Sequence, residues 1–580
     1  MATFITNDIV KKRHVSRTVK RQTVNEVVDF SSQYGSDLSR SYTVANVVGE
    51  TNIYPKYGDF TQSLVFRTYG RWWSSCPSSL KSFKQYHQSD FLSQDFIDIR
   101  YSYSVYPTKI EIFETYNPGA VVRILACDSE TKYIPPRWIL LWAGSPRKCA
   151  AKARVFSPVL KKCPFKTRRL RLEFNQEHCD YFTEIDAVYL HGVESEIEYN
   201  YSEEKEDSIV SMTEAFHQRM SMNSNLNNEN SYVRNDSVNI SMLPIEVFNK
   251  ILSYLRFSEF GNLSKTCRFF RDCCYDPMYF KEFNLQPYWF KVNGVSLQYL
   301  TQRCRSTEKL CMSWCGSDGL FTTQDFERFL KNMNSGTLRC LYLSCCRFLD
   351  ASILKVIVEV CPDLEELDLS SCIHLPSAAF ENLAMLKNLK RLNLYRTQVT
   401  EKDLAIIVES CPKLKYINLG GCYQFGNYDE AMTHLQYCPN IFSLDLWRSK
   451  SITANGIISI INHCPNLEEI DLGWCKNVAS HGIIRHLVTH CQKIKKIFLT
   501  AVRTLTDDDL LAISENCSLL EQLDILGNSN VSKESAERVL MECTNLKFFD
   551  VSFCSKLDSV WYHEMKARFP LVDLKKSVSH

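Results

Sequence analysis

Twenty-five cysteines are the residues of this chain best able to do chemistry, as disulfides, metal ligands or nucleophiles. Their spacing speaks against all three. Seventeen fall between Cys304 and Cys554, most of them at one recurring place in a repeat. There a reduced thiol serves as a small buried apolar group. The N-terminus lacks the apolar core of a secretory leader, so a reducing compartment and free thiols are expected. A zinc site calls for paired CxxC or H-x3-5-H arrangements. His486, His490 and Cys491 on one predicted helix come nearest, but Cys491 is already accounted for by the repeat. No metal or cofactor is expected. Phosphate loops, nucleophile elbows and HExxH pairs are all missing, so no catalytic residue is assigned and the chain reads as non-enzymatic.

The elements that place these cysteines follow from their period. Cys-Pro-x-Leu anchors recur at Cys361, Cys411, Cys438 (as Cys-Pro-x-Ile) and Cys464, with weaker copies at Ser335, Leu386, Cys491, Cys517 and Cys543 and a degenerate one at Cys304. From Ser335 the intervals run 26, 25, 25, 27, 26, 27, 26 and 26 residues. Period and the L-x-x-L-x-L-x-x-C pattern identify leucine-rich repeats of the cysteine-containing kind. Before each anchor, sets such as Leu404, Ile407, Val408 and Cys411 have helical spacing. Each unit is therefore a strand, a turn and a helix that buries one face only when stacked. About ten copies over 289–572 predict a curved α/β solenoid.

Strand alternation identifies the concave column as Cys311, Tyr342, Asp368, Asn393, Asn418, Asp445, Asp471, Phe498, Asp524 and Asp550. The next positions add Trp314, Tyr395, Arg396, Trp447, Arg448, Trp474 and Phe553. Aromatics and arginines beside acids suit a protein-binding surface. On this reading Asp368, Tyr395, Arg396, Asp445, Trp447, Arg448, Asp471, Trp474, Asp524 and Asp550 contact a substrate, and an acidic column suggests a basic or amphipathic target. The plainer alternative is that each Asp satisfies nearby backbone groups.

Elsewhere the texture differs. The chain has 580 residues, 45% hydrophobic and 23% charged, which leaves room for several domains. A formal charge of +2 gives no reason to expect a large nucleic-acid or membrane-surface footprint. No apolar run is long enough to span a bilayer. Residues 1–26 are basic and hydroxyl-rich, which suits a mitochondrial targeting segment, a nuclear-import cluster or a solvated arm. From 27 to 195, short alternating stretches such as 96–100, 109–113, 121–125 and 170–174, separated by Tyr106-Pro107 and Asn117-Pro118-Gly119, predict an all-β sandwich. Trp72, Trp73, Trp138 and Trp142 are expected at its core or rim. Residues 196–240 are charged and Asn/Ser-rich, as in a flexible linker.

The segment from 241 to 288 opens with Ser241 as a helix cap, Pro244 in the first turn and Glu246 at the positive end of the dipole. Val247, Ile251 and Leu255 form a stripe widened by Phe248 and Leu252, and a second helix carries Leu263, Cys267 and Phe270. So small a segment exposes more apolar surface than it can bury alone, so it must pack on a partner or on the next domain. Leu243-Pro244, Glu246, Ile251-Leu252-x-x-Leu255, Leu263 and Cys267 resemble the F-box, with Phe270 where many members have Trp. The resemblance implies binding to Skp1, and through it a cullin and a RING protein. The residues implied are Leu243, Pro244, Ile245, Val247, Ile251, Leu252, Leu255, Leu263, Cys267 and Phe270.

The order of sandwich, linker, F-box and cysteine-type repeats is similar to a mitochondrial member of the F-box/leucine-rich-repeat family. The stretches that carry this likeness are 27–32, 66–70, 284–289, 394–397 and 471–475. Residues 183–192 also resemble the closing strand of discoidin-like, galactose-binding-like domains. The expected fold class is thus multidomain, with a discoidin-like sandwich, an all-α F-box and an α/β solenoid. The resemblance implies a non-catalytic substrate receptor of a ubiquitin ligase, working in mitochondrial quality control at the outer surface and facing the cytosol. A nuclear or cytoplasmic location is the alternative address. A non-ligase adaptor or lectin-like scaffold is the alternative function.

Overall fold

The computed structural model describes residues 19–35, 40–68, 93–128, 135–195, 243–255, 257–333, 335–478 and 482–577. Trp72, Trp73, Ser241, the linker at 196–240 and most of the basic N-terminal segment lie outside the described residues.

The first domain is organised by one long strand. Strands β1 (Lys20–Thr23), β2 (Glu26–Phe30), β3 (Asp95–Tyr116), β4 (Val121–Asp128), β5 (Arg137–Ala143), β6 (Arg154–Phe156), β7 (Thr167–Phe174) and β8 (Glu184–Val193) share it. The first half of β3 pairs antiparallel with β2 and β7, and its second half with β8 and β6. Alternation places Ile97, Ile99, Ile110 and Ile112 in a core shared with Ile124, Leu170, Leu172, Val188 and Leu190. Two strands were expected across Tyr106-Pro107, yet β3 runs straight through. The register shifts just beyond Pro107, and a proline that cannot donate to the ladder is tolerated at such an irregularity. The basic segment also ends differently from a free arm. Its residues Lys20–Thr23 form β1, which pairs with β8, and the Arg21 guanidinium lies 4.1 Å from the Tyr189 ring.

The last domain is a stack of parallel strands from β9 (Glu282–Asn284) to β20 (Asp573–Lys575), twelve in one sheet. Two of them fall outside the ten expected copies: β9 within the stretch given to the F-box, and β20 beyond residue 572. Each strand buries its middle residue, from Leu310 through Leu341, Leu367 and Leu392 to Leu574, against helix stripes such as Leu404, Ile407 and Val408. A fully buried aliphatic side chain is worth about 1.5–3 kcal/mol, and only stacking makes that burial complete.

The repeat cysteines have a hydrogen-bonding role as well as an apolar one. Cys346, Cys372, Cys422, Cys475 and Cys554 each direct Sγ at a carbonyl oxygen of the preceding repeat, at 3.0–3.3 Å. In the repeat where Asn528 replaces the cysteine, its Nδ2 donates to Leu499 O instead, at 2.9 Å. Burial pushes these thiols up, Cys422 to about 11 and Cys372 well above the ordinary value, which makes them poor nucleophiles. Cys491 is buried in the same way, and His490 Nδ1 lies 2.9 Å from the carbonyl oxygen of His486.

Candidate functional site

The concave column falls into register as the alternation predicts. Tyr342, Asp368, Asn393, Asn418, Asp445, Asp471, Phe498, Asp524 and Asp550 pair in sequence across neighbouring strands. The structure decides between the two readings of its acids. A side-chain oxygen of Asp368, Asn393, Asn418, Asp445, Asp471, Asp524 and Asp550 accepts the backbone N–H two residues on, at 2.8–3.1 Å. These are Asx turns, which let the chain leave the strand without stranding a buried N–H.

The turn has a consequence one residue later. The third residue after each column position adopts a left-handed conformation, with φ of 57° at Ser371, 55° at Arg396, 62° at Arg448, 62° at Trp474 and 56° at Phe553. Glycine takes the place at Gly421 and Gly527. A side chain there costs roughly 1–2 kcal/mol. The strained side chains project over the concave side, and most of them touch one thing: the chain's own first domain.

Arg396 Nη1 donates to Phe30 O at 3.3 Å, with its guanidinium 3.8 Å from the Phe30 ring. Ser371 Oγ donates to Ser31 O at 2.9 Å, and Arg448 donates to Tyr34 O. Arg347 pairs with Asp29 at 2.7 Å. Residues 28–34 are thus held by successive repeats as a bound peptide would be. Tyr34 packs on Trp447 and Trp474, with ring centroids 5.2 Å and 6.4 Å apart. Gly473 leaves room for Trp447, since a Cβ there would lie 2.3 Å from its ring.

At the centre stands Arg67, 2% exposed. Its Nη2 lies 2.5 Å from Asp445 Oδ2 and 3.4 Å from Asp471 Oδ2, and its guanidinium faces the Tyr395 ring at 4.6 Å. Tyr181 donates to Asp550. Burial and the neighbouring Asp445 charge raise Asp471 to about 8 against the pull of Arg67. Burial raises Asp550 to about 6, and burial with the Asp550 charge raises Asp524 well above the carboxylate range.

A second seam lies nearer the start of the solenoid. Arg171 is sandwiched between the rings of Phe96 and Trp289, at 3.9 Å and 3.7 Å, and is paired with Asp98. Burial opposes ionisation of Asp98, but Arg171 and Arg169 outweigh it and hold its carboxyl below the usual range. Arg169 reaches Asp318 at 2.8 Å, Arg123 donates to Pro287 O at 2.7 Å, and Trp289 Nε1 donates to Glu173 at 2.6 Å. Trp138, expected in the core or at the rim of the sandwich, joins this seam through Nε1 to Asp318 at 3.2 Å. Trp142 instead packs on Phe156.

The expected substrate face is therefore filled. Asp368, Asp445, Trp447, Arg448, Asp471, Asp524, Asp550 and Tyr395 are buried, and Trp474 packs against the same aromatic cluster. The expectation of an open concave surface is corrected here: the basic, amphipathic target that its acids suggested is supplied by Arg67, Tyr34 and Tyr181 of the same chain. Composition gave no hint of Arg67. The available signal was the column itself, with Asp445, Asp471, Asp524 and Asp550 at successive or near-successive rungs and no lysine or arginine among the column positions.

The F-box residues divide differently. Helices α1 (Ile245–Leu252), α2 (Phe257–Leu263) and α3 (Arg268–Cys274) pack through Phe248, Leu252, Phe260 and Cys274. Phe248 stacks on Phe270, and Phe257 lies 5.3 Å from Phe283 of β9, so the helices join the solenoid core. The N-cap of α1 is Pro244, with no side-chain cap bond. Leu252 is fully buried, while Leu255, Leu263 and Phe270 are half-buried against that core. Their packing is internal, so of the expected Skp1 contacts these four serve first as structure. Pro244, Ile245, Val247, Ile251 and Cys267 are exposed, and Leu243 is half-buried. Tyr254, Phe269 and Tyr275 extend the exposed apolar face and were not singled out from the sequence.

Two family models match parts of this chain. An F-box-like family model matches residues 240–286, and the model "FBD-associated F-box protein At5g56370, LRR repeats" matches 357–438. The class is thus an F-box protein carrying leucine-rich repeats. The chain belongs to the F-box/LRR-repeat protein family: it is 41% identical to F-box/LRR-repeat protein 4 of Bos taurus over 96% of this chain and 91% of that one. Among solved structures, a chain of the yeast Rad7 and Elc1 complex is similar at 16% identity, over 63% of this chain and 90% of that one, with a TM-score of 0.40. The leucine-rich repeat-containing protein LegL7 of Legionella pneumophila is similar at 16% identity over 45% and 89%, with a TM-score of 0.31.

Proposed function

We propose that this protein is the non-catalytic substrate-recognition subunit of an SCF-type ubiquitin ligase, docked on Skp1 and through it on a cullin and a RING protein. The observation that carries this is the two-sided F-box. Phe248 and Leu252 of α1 fasten it to the solenoid while Ile245, Val247 and Ile251 of the same helix, and Tyr254 in the turn that follows, face solvent, Ile245 at 56% and Tyr254 at 59% exposure. Exposed apolar residues clustered on so short a segment mark a partner surface. The receptor's task is geometric, holding a target lysine near a charged ubiquitin carrier, and proximity supplies the rate.

With the concave groove occupied, targets bind the outer surface of the joined sandwich and solenoid. The further parts of the proposal are a discoidin-like identity for residues 27–195 and a place at the mitochondrial outer surface, in mitochondrial quality control. The resemblance of β8 to a closing discoidin-like strand supports the first, and the basic, hydroxyl-rich N-terminus supports the second.

The test is co-purification with Skp1. Val247→Glu with Ile251→Glu, both on the exposed face, is expected to abolish recovery of Skp1 while the protein stays folded. Undiminished Skp1 in a folded double variant refutes the docking surface. Failure of the wild type to bind Skp1 at all replaces the ligase reading with a non-ligase adaptor or lectin-like scaffold.

A further inference from the structure

The formal charge of +2 for the whole chain conceals a strongly uneven distribution. Between Glu130 and Glu173 there are twelve lysines and arginines and not one acid. Some of that charge is spent inside the domain: Arg154 on Glu114, Arg169 and Arg171 on Asp98, and Lys148 on Asp180. Arg137, Arg147, Lys152, Lys161, Lys162 and Arg168 remain exposed. For Arg137, Arg147, Lys152, Lys161 and Arg168 there is no ion pair among the described residues.

The stretch from 144 to 166 is anchored along an edge of the domain rather than loose. Arg147 N donates to Gly119 O at 3.2 Å, Phe156 packs on Trp142 at 5.0 Å, and Lys161 N donates to Leu141 O of β5 at 2.8 Å. Leu160 and Phe165 turn inward onto the sandwich core. Val159 turns outward and is 93% exposed, beside Pro158 and two residues before Lys161. The bonds that hold this domain to the solenoid come from elsewhere, from residues 28–34, Arg67, Arg123, Trp138, Arg169 and Tyr181.

We propose that this edge is a membrane-docking surface for anionic phospholipid headgroups, with Val159 entering the boundary with the acyl chains. An exposed aliphatic residue on an edge that carries exposed cations along its length, with no acid from 131 to 172, matches the vertical order of a bilayer interface, with charge at the phosphates and hydrocarbon just beneath. A single-stranded nucleic acid would call for exposed aromatic platforms beside the cations. The nearest rings, Trp142, Phe156 and Phe165, are packed against the domain instead. The inference does not depend on the ligase reading.

The experiment is vesicle flotation of the full chain. It uses phosphatidylcholine vesicles with and without phosphatidylserine, at low and high salt. The wild type is expected to float only with the anionic vesicles, and less at high salt. Lys152→Ser, Lys161→Ser and Arg168→Ser together are expected to weaken binding by roughly a hundredfold, about fivefold for each charge. Val159→Asp, at a position no packing depends on, is expected to weaken it as well, and an unchanged thermal unfolding midpoint shows that each variant is folded. Equal flotation with neutral vesicles overturns the proposal. So does a triple variant that floats as the wild type does, or capture by a polyglutamate or RNA probe without any vesicle binding.

Discussion

Arg67 is a cation with almost no access to water, held by two carboxylates and the faces of Tyr395 and Trp447. Removing one partner from such a group leaves the others uncompensated, at a cost of about 3–5 kcal/mol. Arg67→Met is therefore expected to lower the midpoint of urea unfolding well below that of a surface control such as Lys413→Met. An unchanged midpoint would mean that the domains are joined by other contacts. The buried acids of the column titrate in a predictable direction. Asp471 and Asp550 have native pKa values raised to about 8 and about 6, above the unfolded range near 4. Between those limits the native state holds protons that the unfolded chain has released. Their contribution to stability is thus full below about pH 4 and is lost as pH rises, towards 6 for Asp550 and towards 8 for Asp471, by at most about 1.4 kcal/mol per pH unit for each group. Thermal unfolding at pH 6 and pH 8.5 should show the fall, and Asp471→Asn should flatten it. A stability that rises over this range would show the carboxyls to be ionised in the native state.

At the scale of elements, the solenoid was almost wholly legible because its pattern is local and repeated. The period fixed the units, the L-x-L alternation fixed the concave column, and helical spacing fixed the buried stripe. The ends were not legible, since β9 and β20 lack the Cys-Pro-x-Leu anchor and are recognised only by what they pair with. The F-box stripe was read as one surface, although an eight-residue helix has two sides. Phe248 and Leu252, four residues apart, face the core, and Val247 and Ile251, also four apart, face outward. This separation can be measured. Leu252→Ala should destabilise the protein by about 2–5 kcal/mol. Val247→Ala with Ile251→Ala should leave thermal stability within about 0.5 kcal/mol and reduce only Skp1 binding. A pair of variants with matching effects on both readouts would erase the distinction. The Arg396 and Arg448 rungs were legible as positions but not as conformations, because nothing in L-x-L-x-x-C marks its last turn as left-handed.

For the whole molecule, the deciding fact is a contact between segments hundreds of residues apart, and no local pattern carries that information. The acidic column invites a basic partner, but sequence alone does not say whether the partner is another protein or another part of the chain. The structure shows the same chain in both seams: residues 28–34, Arg67 and Tyr181 in one, and Arg123, Arg169, Arg171 and Trp138 in the other. The first domain, the solenoid and the F-box then share continuous packing, since Phe96 and Trp138 of the first domain belong to the same apolar core as Phe248 and Leu252 of the F-box. A receptor built this way would transmit the position of a target on its outer surface to Skp1 without a hinge between sandwich and repeats. It also makes the solenoid dependent on its filling. Without residues 1–195, Trp447, Trp474, Tyr395 and Phe498 would face water beside three acids whose ionisation burial now opposes, Asp471, Asp524 and Asp550. A chain beginning at residue 196 is therefore expected to bind a hydrophobic dye and to elute as soluble aggregate in size-exclusion chromatography, whereas the full chain does neither. If the shortened chain is instead monomeric and dye-silent, the groove tolerates water, and the sandwich becomes a removable occupant that a target could displace.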